Sequence, residues 1–320
     1  MYMFKYVMKR IGLMLMTFMI IFVICFVLIK LLPIVINVQV GKDAELIKAQ
    51  IKARGYYDPI PVQFFNYLKR IFLHGDFGIG VNYPEYRNKP VWDAFVDRLP
   101  PTILINVYSS LIAVPIGIVL GIYAALKKNK WQDHAISTGV MLFISVPSFI
   151  YAFLVQYIFC FKLDLFDLKM KPGYDYFTWD MFKSMMPAVI SMCFGSIAGY
   201  ARGTRAELTE VLTSEFMLLA RTKGLTRRQA TTRHALRNAM VPIFPSIVGE
   251  FVAVLSGSLI IEKIFVIPGV GGLYLNAINY QDYDFFMLLS AFYIFVGLAA
   301  AIVIDLSYGF IDPRIRMGAK

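Results

Sequence analysis

Residues 202–237 read RGTRAELTEVLTSEFMLLARTKGLTRRQATTRHALR, a polar stretch between two long apolar runs. It carries eight Lys and Arg residues against three Glu residues, a balance typical of loops that face the cytoplasm. Its local signals predict two short helices. Ser214 is expected to cap a helix that begins at Glu215 and that Gly224 ends in a left-handed conformation. Residues 226–229, Thr-Arg-Arg-Gln, match a capping box that opens the second helix.

The first of these helices has features of a docking site for another protein. Ala220 and Gly224 lie four residues apart, so we expect one face with two small residues, where a partner can approach the backbone closely. Arg221 and Lys223 fall in the last turn, where cations suit the helix dipole. The alternative is a basic loop that sets topology and rests on anionic lipid. Charge and spacing alone leave both interpretations open.

A family resemblance favours the docking interpretation. Residues 220–225 (ARTKGL), followed by 233–239 (RHALRNA) and Pro242, resemble the coupling motif of ABC-importer permeases in the dipeptide, oligopeptide and nickel branch. The general motif is Glu-Ala-Ala, three residues, then Gly, and the matching positions here hold Leu218, Leu219, Ala220 and Gly224. The resemblance implies a loop that couples to an ATPase subunit through Glu215, Ala220, Arg221, Lys223, Gly224 and Leu225.

The composition predicts an all-α, polytopic membrane protein. Hydrophobic residues make up 58% of the 320 residues, charged residues make up 17%, and the mean hydropathy is +0.62, which is too apolar for a soluble domain. The net charge of +11 does not indicate nucleic acid, because the basic residues cluster beside apolar runs and no nucleic-acid motif is present. Cys25, Cys160 and Cys193 lie in apolar stretches without metal-ligand spacing, as packing residues do.

The sequence contains six apolar runs of about 20 residues, the length that a helix needs to cross a bilayer. We expect spans over residues 11–32, 102–126, 135–161, 184–201, 241–261 and 285–311. The first run is longer than a signal peptide and no cleavage site follows it, so we interpret it as an uncleaved span. Basic residues are in excess in the segments that this topology places inside, so both termini are predicted to be cytoplasmic.

Prolines and glycines punctuate these spans. Pro115, Pro147 and Pro187 are expected inside helices, where neighbouring groups must satisfy the freed carbonyls. Gly117 and Gly121 have a spacing that permits close helix packing.

The predicted organisation has four parts. Residues 1–32 form the cytoplasmic N-terminus and the first span. Residues 33–101 form a long external region with amphipathic helical patches at 43–54 and 61–73. The core comprises residues 102–311, with the cytoplasmic coupling loop at 202–237, and a cytoplasmic tail follows at 312–320.

The resemblance extends beyond the coupling loop. Residues 75–78 (GDFG) resemble part of the external region of the same branch. Residues 262–271 (EKIFVIPGVG) and the pair Asp282-Tyr283 resemble its external signature, although the usual Pro after that pair is Asp284 here. Residues 312–316 (DPRIR) are also similar to the family. The chain therefore resembles a B-type oligopeptide permease over nearly its whole length.

Polar residues within the spans are candidates for a translocation path. They are Asn106, Ser109, Ser110, Ser145, Ser148, Gln156, Ser191, Ser196, Ser246, Ser256 and Ser258. Hydrogen bonding between helices is the alternative for each of them. Glu250 and Asp305 differ, because an ionisable group at membrane depth is costly and usually faces a cavity or a partner. They either close the inner end of the path or tie helices together.

No catalytic, metal or cofactor site is predicted, because the chain has no phosphate loop, zinc-helix motif or Gly-x-Ser-x-Gly elbow. The resemblance implies a plasma-membrane permease subunit that pairs with a second homologous permease, two cytoplasmic ATP-binding subunits and an extracytoplasmic substrate-binding lipoprotein. The cargo it implies first is peptide, with nickel or another small solute as the alternative. A proton-coupled secondary transporter would be supported by an inverted repeat, and none is seen. A structural membrane scaffold would need no polar path.

Overall fold

The computed structural model describes residues 2–32, 45, 49, 52, 53 and 55–311. In this part of the chain the regular structure is helical, and pairing between extended residues is limited to two isolated bridges. The predicted patch at 43–54 falls largely outside the described residues, and the predicted tail at 312–320 lies wholly outside them.

The helices have the following bounds. They are α1 (Tyr2–Lys30), α2 (Ile60–His74), α3 (Val91–Leu126), α4 (Trp131–Ser145), α5 (Ser148–Val155, continued by a π-helical segment at Gln156–Lys162), α6 (Trp179–Leu212), α7 (Glu215–Thr222), α8 (Arg227–Ser256), α9 (Leu259–Ile264), α10 (Val270–Asn279) and α11 (Tyr283–Ile311).

The predicted fold class, an all-α polytopic membrane protein, is confirmed. Among the described residues five helices are long and apolar enough to cross a membrane, namely α1, α3, α6, α8 and α11. Helices α4 and α5 form a sixth candidate if the bent pair counts as one span.

The third predicted span is not one straight helix. Helix α4 ends at Ser145, α5 begins at Ser148, and the two are bent by 103°. Val146 is extended, with φ −86° and ψ 127°, because a following proline crowds the helical conformation of the residue before it. The expectation that Pro147 lies inside a helix is therefore wrong, whereas Pro115 and Pro187 do lie inside α3 and α6.

The polar stretch at 202–237 is organised differently from the prediction. Helix α6 continues through its first residues to Leu212. The second predicted short helix is not separate, because α8 runs without interruption from Arg227, through a π-helical segment at Thr231–Ala235, into the apolar residues of the fifth span. That span ends at Ser256 rather than at 261, since the chain turns at Gly257 with φ +64°.

The chain divides into two compact units, of which the first comprises Met1–Thr102, Ser256–Glu262 and Pro268–Ala299. Two buried clusters form its core. One cluster contains Tyr83, Tyr86, Val91, Phe95, Val270, Leu273, Phe285 and Leu289. The other joins α1 to α2 and α11 through Phe22, Phe26, Ile29, Tyr67, Tyr283 and Met287. The predicted patch at 61–73 corresponds to α2.

The second unit comprises Ile103–Leu255, Lys263–Ile267 and Ala300–Lys320. Within it, α3 and α6 approach closely at the predicted glycine pair. A Cβ on Gly117 would lie 2.7 Å from the Cβ of Tyr200, and a Cβ on Gly121 would lie 2.6 Å from the Cβ of Thr204. Any side chain at these positions would clash, so the glycine spacing does serve close helix packing.

An ion pair between a buried carboxylate and a partly exposed guanidinium joins the start of α4 to α6 in the same unit. Asp133 is buried, and its Oδ2 lies 2.8 Å from Nη2 of Arg205. The same oxygen accepts the backbone N–H of Asn129 at 2.9 Å. The carboxylate thus satisfies both a guanidinium and the loop that precedes α4.

Candidate functional site

Helix α7 has the predicted bounds. Ser214 occupies the N-cap position, and Gly224 follows the helix with φ +90°. The Ser214 hydroxyl donates to the carbonyl of Val211 at 2.6 Å, so it does not form the expected side-chain cap. The capping box is confirmed, since the Gln229 N–H donates to Thr226 Oγ1 at 3.3 Å and the Thr226 N–H donates to Gln229 Oε1 at 3.0 Å.

The inward face of α7 holds Ala220, which is only 7% exposed. It belongs to a buried cluster with Ala125, Leu208, Met217, Ala230, Ala235 and Ala239. The prediction that Ala220 and Gly224 share an exposed face is wrong, because Met217 and Ala220, three residues apart, form the face that packs on this cluster. Gly224 is exposed, and among the described residues no atom other than those of its chain neighbours lies within 4 Å of the place where a Cβ would stand.

The outward side of α7 carries exposed apolar side chains among its polar ones. Leu218 is 65% exposed and Leu219 is 55% exposed, and Phe216 is exposed as well. Of the other predicted coupling residues, Glu215, Arg221 and Lys223 are exposed, while Leu225 is half-buried against the alanine-rich cluster. In the sequence these leucines stand out only as departures from the family motif. The sequence does contain a signal for these exposed side chains, because this short helix has apolar residues on more than one face. Its own chain can cover only one of those faces.

A cavity of about 380 Å³ lies in the second unit between α6 and α8. It is lined by Ser196, Gly199, Tyr200, Gly203, Thr204, Glu207, Pro242, Ile243, Ser246 and Glu250. The Ser196 hydroxyl donates to Glu250 Oε1 at 3.1 Å, and the Tyr200 hydroxyl donates to the carbonyl of Ser246 at 3.2 Å. The lining holds two carboxylates and no Lys, Arg or His, so its charge favours cationic groups.

The structure brings only part of the predicted path together. Ser196, Ser246 and Glu250 share this cavity, whereas Asn106, Ser109, Ser145, Ser148 and Asp305 are not among its lining residues. Asn106 and Ser109 are buried, and Ser109 Oγ lies 3.7 Å from Cys193 Sγ, a contact of the kind that joins helices. Ser145 and Ser148 flank the break between α4 and α5, and Asp305 is half-buried in α11.

In the first unit, the string at 262–271 is built around the carboxylate of Glu262. It accepts hydrogen bonds from the Thr102 hydroxyl at 2.9 Å, the Gly271 N–H at 2.8 Å and the Gly272 N–H at 3.2 Å. Burial raises the pKa of Glu262 to about 7, although these hydrogen bonds oppose the rise. A Cβ on Gly271 would lie 2.8 Å from Glu262 Oε2, so a side chain here would displace the carboxylate from its hydrogen bonds.

Two further carboxylates hold the segment around residues 79–83 in the same unit. Asp282 Oδ2 accepts the N–H groups of Val81, Asn82 and Tyr83 at 2.7, 2.8 and 3.1 Å. Burial, with a smaller effect of the nearby Asp284, raises the pKa of Asp282 to about 6. Asp284, the departure from the family pattern, accepts the Tyr56 hydroxyl and the Ile79 N–H. The departure therefore has a structural role in this chain.

The candidate spans, the cavity between α6 and α8 and the exposed helix that joins these two helices are features of an integral-membrane transport subunit. The chain belongs to the family described as binding-protein-dependent transport system inner membrane components: the model of that family matches residues 117–317, and a model of the N-terminal part of such components matches residues 3–106. It is thus a permease subunit of an ABC importer and a multi-pass membrane protein.

Similar proteins support the same assignment. The chain is 35% identical to the dipeptide transport system permease protein DppB of Bacillus subtilis, over 99% of each chain. It is 34% identical to the oligopeptide transport system permease protein OppB of Salmonella typhimurium, over 84% of this chain and 85% of that one. It shares its fold with the crystal structure of an amino acid ABC transporter with histidines, at a TM-score of 0.50 and 18% identity, over 67% of this chain and 92% of that chain. The resemblance seen in the sequence is confirmed.

Proposed function

We propose that this chain forms the translocation path of a peptide importer together with a second homologous permease. Two cytoplasmic ATP-binding subunits drive the pair, and an extracytoplasmic substrate-binding lipoprotein supplies the cargo. Support for peptide cargo comes from the relatives, whose names specify dipeptide and oligopeptide transport. Nickel or another small solute is the alternative cargo.

The observation that carries the coupling part of the proposal is the outward face of α7. Leu218 and Leu219 are exposed on a helix between spans, next to basic residues that favour a cytoplasmic position. A groove on an ATP-binding subunit would bury both side chains, at about 1.5–3 kcal/mol for each that becomes fully covered. In the topology that we propose, both termini and the loop at 202–237 are cytoplasmic. The segment between α1 and α3 lies at the external side of the membrane.

Motion of α7 has a route to the membrane helices. Ala220 on α7, Leu208 on α6 and Ala239 on α8 are buried in one cluster. Because such a cluster is close-packed, displacement of α7 by a moving ATP-binding subunit pushes on both helices. The same two helices carry Glu250 and Ser196 on the walls of the cavity. We infer that this cavity belongs to the path and changes shape during the transport cycle.

The coupling proposal is tested by introducing a charge on the outward face. Leu218→Glu and Leu219→Glu are expected to leave insertion and pairing with the second permease intact, while the ATP-binding subunits are lost from the purified complex. Thr232→Glu is the matched control, because it adds the same charge at an exposed position of α8. Normal retention of ATP-binding subunits and normal uptake in both leucine variants would remove the coupling proposal.

The energy source and the cargo are tested by uptake into cells. Uptake of a labelled dipeptide is expected to stop when the partner ATPases are inactivated and to continue when the proton gradient is collapsed at constant ATP. Uptake that follows the proton gradient would instead support a secondary transporter. The peptide proposal would be overturned if the cells took up nickel through this complex and unlabelled peptides did not compete with that uptake.

A further inference from the structure

Helix α2 has three distinct faces. The face that packs towards α1 consists of Phe64, Tyr67, Leu68 and Ile71. A polar face consists of Gln63, Asn66, Arg70 and His74. The third face is exposed and mostly apolar, and it consists of Val62, Phe65, Lys69, Phe72 and Leu73. These groups follow from a rotation of about 100° per residue. The helix therefore has a second apolar face that the described part of its own chain leaves uncovered.

The uncovered face presents large side chains. Phe65 is 73% exposed and Phe72 is 80% exposed, and the two lie two turns apart on the same side of the helix. Contiguous exposed residues of this size mark a surface that another molecule or a membrane covers.

Contacts with α1 place α2 beside the last turns of the candidate span. The Phe26 ring lies 5.2 Å from the Phe64 ring and 5.8 Å from the Tyr67 ring, measured between centroids. Phe26 belongs to the candidate span Lys5–Lys30, four residues before its end. At 1.5 Å per residue, Phe26 lies about 6 Å inside that end. This depth matches the roughly 5–10 Å to which interfacial helices sink into the boundary between headgroups and acyl chains.

We propose that α2 is an interfacial helix that lies in the membrane leaflet at the C-terminal end of α1. Phe65 and Phe72 enter the acyl chains, and the polar face points to water. Lys69 favours lipid over a protein partner, because a lysine stem can follow acyl chains while its ammonium reaches a headgroup phosphate, whereas the cores of protein interfaces are depleted in lysine. Residues 33–101 are then not wholly external, in contrast to the sequence-based expectation.

Spin labels on neighbouring residues test this placement. Phe72→Cys carries the label on the apolar face, and Asn66→Cys is the matched control on the polar face. Both are made in a chain whose Cys25, Cys160 and Cys193 are replaced by Ala, and the chain is studied with its co-purifying subunits in lipid nanodiscs. The ratio of collisions with oxygen to collisions with a water-soluble nickel chelate is expected to be several-fold higher at position 72 than at position 66.

Two outcomes would overturn the proposal. A label at position 72 that meets the chelate as readily as the label at position 66 lies in water, and a label shielded from both reagents is covered by protein. A second measurement keeps the native cysteines and places p-benzoylphenylalanine at position 72. Its photocrosslinks are expected on phospholipid, and crosslinks to a protein subunit would identify a partner surface instead. These readouts do not depend on cargo or on ATP-driven transport.

Discussion

The hydroxyl of Thr102 donates a hydrogen bond of 2.9 Å to Glu262, although the two residues are 160 positions apart in the chain. The same oxygen accepts the N–H of Val270 at 2.9 Å. One side chain on α3 therefore satisfies the buried carboxylate on α9 and the first N–H of α10.

Removal of this hydroxyl should be costly. In Thr102→Val, Val270 loses an acceptor and Glu262 loses a donor, and each buried group left without its partner costs about 1–3 kcal/mol. We expect a lower thermal unfolding midpoint for the purified chain in detergent. Thr102→Ser keeps the hydroxyl and serves as the control, with a midpoint close to that of the native chain. Equal midpoints for the Val and Ser variants would show that the hydrogen bonds contribute little.

The stability of the chain should fall with rising pH because of Glu262. Its pKa is raised from 4.5 to about 7 in the folded chain, so folding favours the protonated form. This contribution is fully present below pH 4.5 and is lost as pH rises through about 7, and its size is on the order of 3 kcal/mol. Glu262→Gln cannot titrate at this position. The difference between its unfolding midpoint and that of the native chain should therefore shift in favour of the variant as pH rises from 4.5 to about 7, and stay constant at higher pH. A difference that does not change with pH would contradict the assignment.

Gly224 should be needed for its backbone conformation rather than for lack of space. Its φ is +90°, and a Cβ would meet no atom within 4 Å in the part of the chain that the structure describes, its chain neighbours aside. A β-branched residue at positive φ costs about 1–3 kcal/mol, so Gly224→Val should shift the loop after α7 and weaken retention of ATP-binding subunits. Gly224→Asn is the control, because Asn tolerates the left-handed conformation. Uptake and subunit retention by the Val variant that equal those of the Asn variant would count against a coupling role.

Glu250 offers a direct test of the cavity. Glu250→Gln removes the charge but keeps an acceptor for the Ser196 hydroxyl, which now donates at 3.1 Å. If the cavity belongs to the path, we expect altered peptide uptake in a complex that assembles normally. Ser196→Ala removes the hydrogen bond but not the charge, and it should have the smaller effect. Loss of assembled complex in the Glu250 variant, measured by size-exclusion chromatography, would assign the residue to packing.

Val266 is a strained position whose replacement should stabilise the chain. It has φ +52°, a region that β-branched residues rarely occupy, and its side chain is 54% exposed. Val266→Asn should relieve about 1 kcal/mol of strain with little loss of burial. Val96→Asn, at an exposed position of helix α3, should bring no gain in the unfolding midpoint. A lower midpoint for the Val266 variant would show that its side chain makes contacts worth more than the strain.

Local patterns were sufficient for the fold class and for the bounds of α7. Apolar runs of bilayer length indicate membrane-spanning helices, and the left-handed Gly224 ends α7 through its own backbone conformation. Ser214 marks the start of α7 by its position, although its hydroxyl does not cap the helix. The break at Pro147 was not predictable in this way. Pro115 and Pro187 lie in similar apolar runs, yet their helices continue, so tertiary surroundings decide the outcome.

The candidate site was predictable only in part for the same reason. The spacing of Ala220 and Gly224 shows that they are near each other but not which side of α7 faces the chain's own core. The contact between Ser196 and Glu250 joins residues that are 54 positions apart on two different helices, and no local pattern encodes it. The partner of Asp284 was equally hidden, because Tyr56 lies 228 positions away.

The bend between α4 and α5 has a consequence for biogenesis. Helix ends carry backbone groups without intrahelical partners, and acyl chains offer no hydrogen bonds to replace them. If the bent pair crosses the membrane as one span, the backbone groups between Ser145 and Ser148 need water or another protein surface where lipid would surround a straight helix. We expect these backbone groups to be poorly satisfied in a newly inserted chain until a partner subunit covers them. Copies of the chain that lack this partner should accordingly be short-lived in the cell, because membrane proteases can recognise the unsatisfied backbone groups at the bend.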